Sequence, residues 1–305
     1  MYNGVIIVNK EKGFTSHDVV AKLRGILKQK KIGHTGTLDP DATGVLPVCL
    51  GNATKLCDML TDKDKTYEAV LLLGQATDTQ DITGKIIDSV DVMDIRKAGN
   101  LNDEDILGTI NSFIGPYSQI PPMYSALKVG GKKLYELARE GIEIERQPRM
   151  VEIHGIENIE IDFPRVRMEV SCSKGTYIRT LCHDIGAKLG VHGCMESLRR
   201  TKVSTFAIAD GKTLDEISSL VSEGNIEKYI IPVERIFDGY RSLRTKPEFD
   251  KLIYNGNSLD EHTVDIEGAT EGEHFRVYDS KDTFMGIFVY SKDEHRYKCE
   301  KMFLS

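Results

Sequence analysis

Asp39 stands directly before a proline in KIGHTGTLDPDATGVLPVCLGNATK, a stretch that begins at Lys31. A carboxylate among glycines and threonines can hold a cation, move a proton or attack an electron-poor carbon. The cation chemistry fails on spacing. Asp39, Asp41, Thr43 and Gly44 match the first half of a calcium-binding loop, but Leu50 occupies the twelfth position, where a bidentate glutamate is needed, and a proline stands second. No Gly-Lys-Ser/Thr follows the glycines to cradle a phosphate, and the chain has no G-x-S-x-G elbow. A carboxylate-pair glycosidase needs a second acid placed like Asp39, and none is. Asp-Pro also initiates turns, and Gly33, Gly36 and Gly44 give the backbone freedom. On spacing alone, a plain turn and a functional loop both stay open.

The flanking elements read clearly. Val5–Val8 is a buried strand, and Ser16 caps a helix with apolar Val19, Leu23, Ile26 and Leu27. After the loop come a strand through Val45–Leu50, a short helix from about Asn52 and a strand at Tyr67–Leu73. Asn102 caps a helix carrying Ile106, Ile110 and Phe113. RVRMEVSC alternates strictly, with Val166, Met168, Val170 and Cys172 on one face, as a half-buried strand does. GTYIRTLCHDIGAKLG turns into a helix that stops at Gly190, and Thr213 to Glu216 has capping-box spacing. Strands and helices alternate without a βαβ rhythm, so the fold class is α+β with a mixed sheet. From about Arg241 the pattern changes to one helix followed by short strands, a small β-rich terminal domain.

With 305 residues, 40% hydrophobic and 29% charged, the chain can bury a large core. The N-terminal apolar run of Val5–Val8 is too short for a signal peptide or a membrane span. Six cysteines are scattered without a C-x-x-C pair, which argues against a disulfide framework or a zinc cluster and for a reducing cytoplasm. The net charge of -7 hides its distribution. Residues 10–31 hold seven Lys/Arg against two acids, and residues 165–202 hold eight against three. Acids prevail at 78–108 and 260–305. Two basic blocks in an acidic chain suit one assembled patch for phosphates, because affinity follows local field.

The chain resembles the TruB-type pseudouridine synthases in several blocks that keep their order. GHTGTLDPDATGVLPVCLGNATK resembles the family's catalytic motif, VNKEKGFTSHDVV its N-terminal strand and loop, and KTYEAVLLLGQATDTQDITG the segment with its active-site tyrosine. QIPPMYSALKVGGKKLYELAREG resembles an RNA-gripping insertion, CSKGTYIRTLCHDIGAKLG the segment with the active-site arginine, and LRRTKVSTF the strand that closes the catalytic domain. The resemblance implies a largely antiparallel catalytic domain over 1–240, with the insertion at about 118–149, and a PUA-like RNA-binding domain over 241–305. It implies isomerisation of uridine 55 in the T-loop of tRNA, by base flipping, without cofactor or metal; the sequence itself carries no sign of more than a monomer.

The same resemblance implies roles for single residues. Asp39 is the nucleophile and Arg179 its ion-pair partner. Tyr67 stacks on the extracted uracil and assists proton removal at C5. Tyr177 lines the pocket, Leu198 borders it, and Lys10 supports the loop or binds phosphate. His34 fills the space that the flipped base leaves. Lys128, Lys132, Lys133, Arg139, Arg146 and Arg149, with Tyr124 and Tyr135, form the mixture that grips RNA backbone and unstacked bases. Two alternatives remain: a synthase that works within a guide-RNA complex of the dyskerin-like type, and a non-catalytic tRNA-folding chaperone, which has no need of the Asp39, Tyr67 and Arg179 set.

Overall fold

The computed structural model describes residues 1–264 and 268–304. The elements that build its main sheet are β1 (Gly4–Lys10), β2 (Ile32–His34), β3 (Thr43–Leu50), β4 (Lys65–Leu73), β5 (Gly115–Gln119), β6 (Arg149–Asp162), β7 (Arg165–Cys172), β8 (Gly193–Val203) and β9 (Ile230–Ile231). The sheet runs β9-β1-β3-β8-β4-β7-β6-β5, with β2 beside β3 and Phe206–Ala207 beside β8. Its neighbours pair antiparallel except β3 and β8, which run parallel.

Burial explains the sequence pattern strand by strand. In β4 and β7 burial alternates along the strand, because apolar residues face a helix layer and polar ones face out. That layer contains α2 (Asp103–Asn111) and α3 (Ile178–Lys188), whose Ile106, Ile110, Leu181 and Ile185 pack on Leu71, Met168 and Val170. β1 and β3 are apolar on both faces because both are covered. On one face lie α1 (Ser16–Ile26) and α4 (Leu214–Ser222), with Val19, Leu23 and Ile217 against Ile6, Val8 and Leu46. On the other, Ala53, Leu56 and Phe237 meet Val5, Ile7 and Val45.

Capping boxes form at Asn102 and Thr213. At α1 the cap is Thr15, not Ser16: Thr15 pairs reciprocally with Asp18 in a capping box. Ser16 is buried instead, and its Oγ accepts the Leu38 N–H at 2.9 Å, tying α1 to the loop that carries Asp39.

The terminal unit holds a five-stranded sheet: β10 (Arg241–Arg244), β11 (Leu259–Asp260), β12 (His274–Tyr278), β13 (Phe284–Ser291) and β14 (Arg296–Met302), in the order β10-β12-β13-β14-β11. It has its own core of Leu243, Ile253, Phe275, Phe288 and Tyr297. It is also docked. Ile287 and Phe303 join the cluster under β1 and β3, and Lys55 donates to the Met302 carbonyl at 2.8 Å. No helix among the described residues is long and apolar enough to cross a membrane.

Candidate active site

Asp39 sits on a turn clamped at both ends. Leu38 and Ala42 are buried in the core beneath it, and the Ala42 N–H donates to the Asp39 carbonyl at 3.1 Å, with Pro40 inside the turn. The Pro40 carbonyl accepts from the Gly13 N–H at 2.9 Å and from Lys10 Nζ at 3.1 Å. Lys10 is 1% exposed, and its ammonium donates to the carbonyls of Glu11, Phe14 and Pro40, one acceptor for each of its three hydrogens. Burial pulls its pKa down to about 8, opposed by the charges of Asp41 and Asp39. In this structure Lys10 therefore holds the loop and offers no free donor to a phosphate. The turn leaves the Asp39 carboxylate 44% exposed.

Arg179, in the first turn of α3, comes to meet it. Its side chain is 8% exposed, with Nη2 3.5 Å from Asp39 Oδ2. The same nitrogen donates to the Tyr124 carbonyl at 2.7 Å, and Nη1 lies 3.8 Å from Asp81 Oδ2. Asp81 is in turn fixed by Thr79 Oγ1 at 2.8 Å, Thr83 N–H at 2.9 Å and Thr83 Oγ1 at 2.5 Å. The guanidinium is thus held between two carboxylates, one half open to solvent and one locked in a turn. Tyr177 caps α3, with its backbone bonded on both sides to the Gln119 side chain at 2.8 and 3.0 Å. Its ring lies under the Arg179 guanidinium, 5.9 Å away.

Tyr67 lies on β4 in a cross-strand row. Lys10 pairs with Gly44, Gly44 with Arg200, and Arg200 with Tyr67. Gly44 has φ 104°, and a Cβ there would collide with the Arg200 carbonyl, so only glycine fits the crossing. Burial raises the Tyr67 pKa, opposed by the nearby Arg200, and Asp39 raises it further; the phenol is neutral at pH 7. Leu198 packs half-buried on the same core, opposite Ala69. His34, on β2, stands edge-on to His17 at 5.1 Å, and burial lowers its pKa, with the His17 charge adding to that. Among the described residues, no polar contact joins His34 or Leu198 to the Asp39–Arg179 pair.

The insertion folds as a hairpin of Lys128–Val129 with Lys132–Lys133, a helix at Leu134–Arg139 and a small core of Met123, Leu134 and Leu137. Lys133 and Arg139 lie 5.3 and 5.4 Å from the centre of the Tyr135 ring. Lys132 pairs with Glu140 and Arg146 with Glu143, so part of its positive charge is already balanced. Arg149 lies on β6, where it pairs with Gln119. Among the described residues, no group of three or more His, Cys, Asp or Glu side chains is placed to hold a metal ion.

Two residues of this site escape the sequence reading. Asp81 carries no spacing signal beyond a threonine-rich turn. Arg200 does: consecutive strand residues face opposite sides, so of Arg199 and Arg200 one must point inward.

The half-exposed Asp39 thus stands beside the buried Arg179 on a mixed sheet, and solved structures share this fold. The H/ACA RNP bound to a substrate RNA containing 2'-deoxyuridine matches with TM-score 0.72 and 25% identity, covering 99% of this chain and 85% of that one. The archaeal box H/ACA sRNP Nop10-Cbf5 complex matches equally, with TM-score 0.72, 26% identity and coverage of 99% and 86%. The N-terminal domain model of the TruB family pseudouridylate synthases matches residues 24–178, and the tRNA pseudouridylate synthase B C-terminal domain model matches 179–238. The chain is 52% identical to the tRNA pseudouridine synthase B of Lachnoclostridium phytofermentans over 99% of its length and 100% of that protein. It is 43% identical to that of Clostridium perfringens, over 99% of both chains. The chain belongs to the TruB family of pseudouridylate synthases, and is an isomerase of RNA uridine.

Proposed function

We propose that the chain acts on tRNA, converting uridine 55 of the T-loop to pseudouridine with Asp39 as nucleophile. One observation carries the assignment: a turn bonded at both ends holds the Asp39 carboxylate half exposed, 3.5 Å from the buried guanidinium of Arg179. The reaction breaks C1'–N1, rotates the base and joins C1' to C5; C5 loses a proton and N1 gains one, so atoms and electrons balance without a co-substrate. Asp39 supplies the carboxylate that attacks and later departs. Tyr67 stacks on the uracil and serves the C5 proton, and Tyr177 and Leu198 border the base. The target base leaves its stack to reach this site, and His34 fills the vacated space. Lys10 holds the loop. The insertion's cations and tyrosines grip the T-arm, and the unit from Arg241 onward is a PUA-like module that touches tRNA elsewhere.

The test is purified monomer with T-arm RNA tritiated at uracil C5. Stoichiometric tritium release, with no guide RNA or cofactor added, supports the proposal. Release only with an added guide RNA favours the guide-dependent alternative, and tRNA folding without release favours the chaperone.

A further inference from the structure

Arg200 heads the largest fully buried side chains among the described residues, at 1% exposure. Taking a guanidinium out of water is costly unless its donors are used. Nε donates to the Val45 carbonyl at 2.7 Å, which fixes the plane of the group. Nη2 is closed to solvent and makes no hydrogen bond of good geometry, although the Arg200 side chain acts on the Tyr67 phenol as a hydrogen-bonding neighbour. A buried donor left over in a native core calls for an explanation.

The surroundings narrow that function. Lys10 and Lys65 are neighbouring cations, Lys10 donating to three backbone carbonyls and Lys65 to two, and as ammonium groups neither can accept. Because Nη2 is closed to solvent, an oxygen of an incoming base does not reach it. Across the strand pair, in register, stands Tyr67, whose hydroxyl oxygen can accept. The guanidinium also acts on that phenol, drawing its pKa back down against burial.

We propose that Arg200 is a positioning residue for Tyr67: pinned by Val45, its Nη2 donates to the phenol oxygen, turns the O–H toward the base and stabilises negative charge on that oxygen. The proposal rests on Tyr67 being the phenol of the active site. It explains why a cation is kept in the middle of the sheet, in the row that runs from Lys10 to Tyr67. It also assigns the inward-facing member of the Arg199–Arg200 doublet to chemistry rather than to the RNA backbone.

The test labels the protein's tyrosines with 3-fluorotyrosine and follows their fluorine resonances against pH. Tyr67→Phe assigns the Tyr67 signal by its disappearance. The other groups acting on this phenol, Asp39 and Cys172, are the same in every variant, as are Lys10 and Lys65. In Arg200→Gln the Tyr67 signal titrates at higher pH than in the parent, because a positive neighbour is gone. Arg200→Lys, which keeps the charge but loses the fork, falls between, and it carries the comparison if the glutamine variant does not fold. An unchanged titration in a folded variant overturns the proposal. This arm contains no RNA, so an error about the substrate leaves it intact.

The second arm is kinetic. Arg200→Gln lowers kcat at least tenfold with little change in KM, while the Tyr67→Phe, Arg200→Gln double variant is no slower than Tyr67→Phe alone. Losses that multiply would show Arg200 acting independently of Tyr67, and the assignment would fail.

Discussion

The Lys10 ammonium and the Pro40 carbonyl are 30 residues apart in sequence and 3.1 Å apart in space. That contact places a buried cation directly behind the Asp39 turn and gives the turn a pH dependence. Protonated Lys10 has three hydrogens for three carbonyls; the neutral amine has two. With a pKa of about 8, the ammonium persists at neutral pH and is lost above it. Turnover should decline as pH rises through about 8, and Lys10→Met should be slow at every pH, without that decline. The sign for stability is opposite. The folded pKa lies below the unfolded value of 10.5, so between about 8 and 10.5 the unfolded chain binds more protons, and the penalty for burying the charge disappears. Wild type should gain stability relative to Lys10→Met across that window. Urea midpoints at about pH 7.5 and about pH 9.5 measure the difference, which cancels the opposing thiol and phenol titrations common to both.

Asp39→Asn keeps the turn, because the hydrogen bond that closes it uses the Asp39 carbonyl and not its side chain. The variant should fold, bind tRNA and lose about a thousandfold or more in kcat, since a carboxamide is no nucleophile. Single-turnover tritium release beside a filter-binding Kd separates the two. Activity within tenfold of the parent removes Asp39 from the mechanism.

Arg179 is shared by Asp39 and Asp81, and the two contacts predict different losses. Arg179→Lys keeps a charge but cannot serve two carboxylates and the Tyr124 carbonyl with a planar fork, and should lose roughly a hundredfold in kcat. Asp81→Asn leaves the Asp39 contact and loosens the other side of the guanidinium. It should cost less, and it should couple to Arg179→Lys by about 0.5–3 kcal/mol in a double-mutant cycle on kcat. Strict additivity would mean that Asp81 only shapes its own turn.

Tyr67 separates stacking from proton chemistry. Tyr67→Phe retains a ring, and base stacking of roughly 1–3 kcal/mol should keep RNA affinity near the parent's. Tyr67→Leu loses both. Low tritium release in both variants, with weak binding only in the leucine one, is the expected pair of results; full release by the phenylalanine variant would confine Tyr67 to stacking.

Much of this was legible in the chain because it is written in local periodicity. The alternation of β4 and β7, the capping boxes at Asn102 and Thr213 and the stop at Gly190 need no distant partner. What was not legible depends on distant pairing. The parallel contact of β3 with β8 joins Thr43 to Arg199 and creates the row that buries Arg200 opposite Tyr67. Asp81 reaches Arg179 through distant pairing of its loop, with the Ile82 N–H donating to the Met195 carbonyl at 3.0 Å and Thr180 Oγ1 donating to Gln80 Oε1 at 2.6 Å. Ser16 reads as a cap because serine is a good one; Thr15 fits the same role, which frees Ser16 to anchor Leu38.

The docking of the terminal unit changes how its role can be tested. Its acidic composition opposes broad phosphate contact, so removing residues 241–305 would seem a simple way to measure a modest RNA contribution. The structure makes that deletion a structural lesion as well. Phe303 is 6% exposed, stacks on Phe284 at 5.8 Å and meets Phe237 at 6.1 Å, in the cluster that covers Val5, Ile7 and Val45. Truncation would bare that face of β1 and β3, the strands that carry Lys10 and lead out of the Asp39 turn. Phe303→Ala isolates the packing: it should lose about 3–5 kcal/mol, as large core truncations do, while leaving the charged surface unchanged. If the two units share one core, thermal unfolding of this variant remains a single transition at lower Tm, followed by tryptophan-free probes such as far-ultraviolet circular dichroism, since the chain has no tryptophan. Two separated transitions would show that the units unfold independently and that the truncated domain is a fair kinetic substitute for the whole.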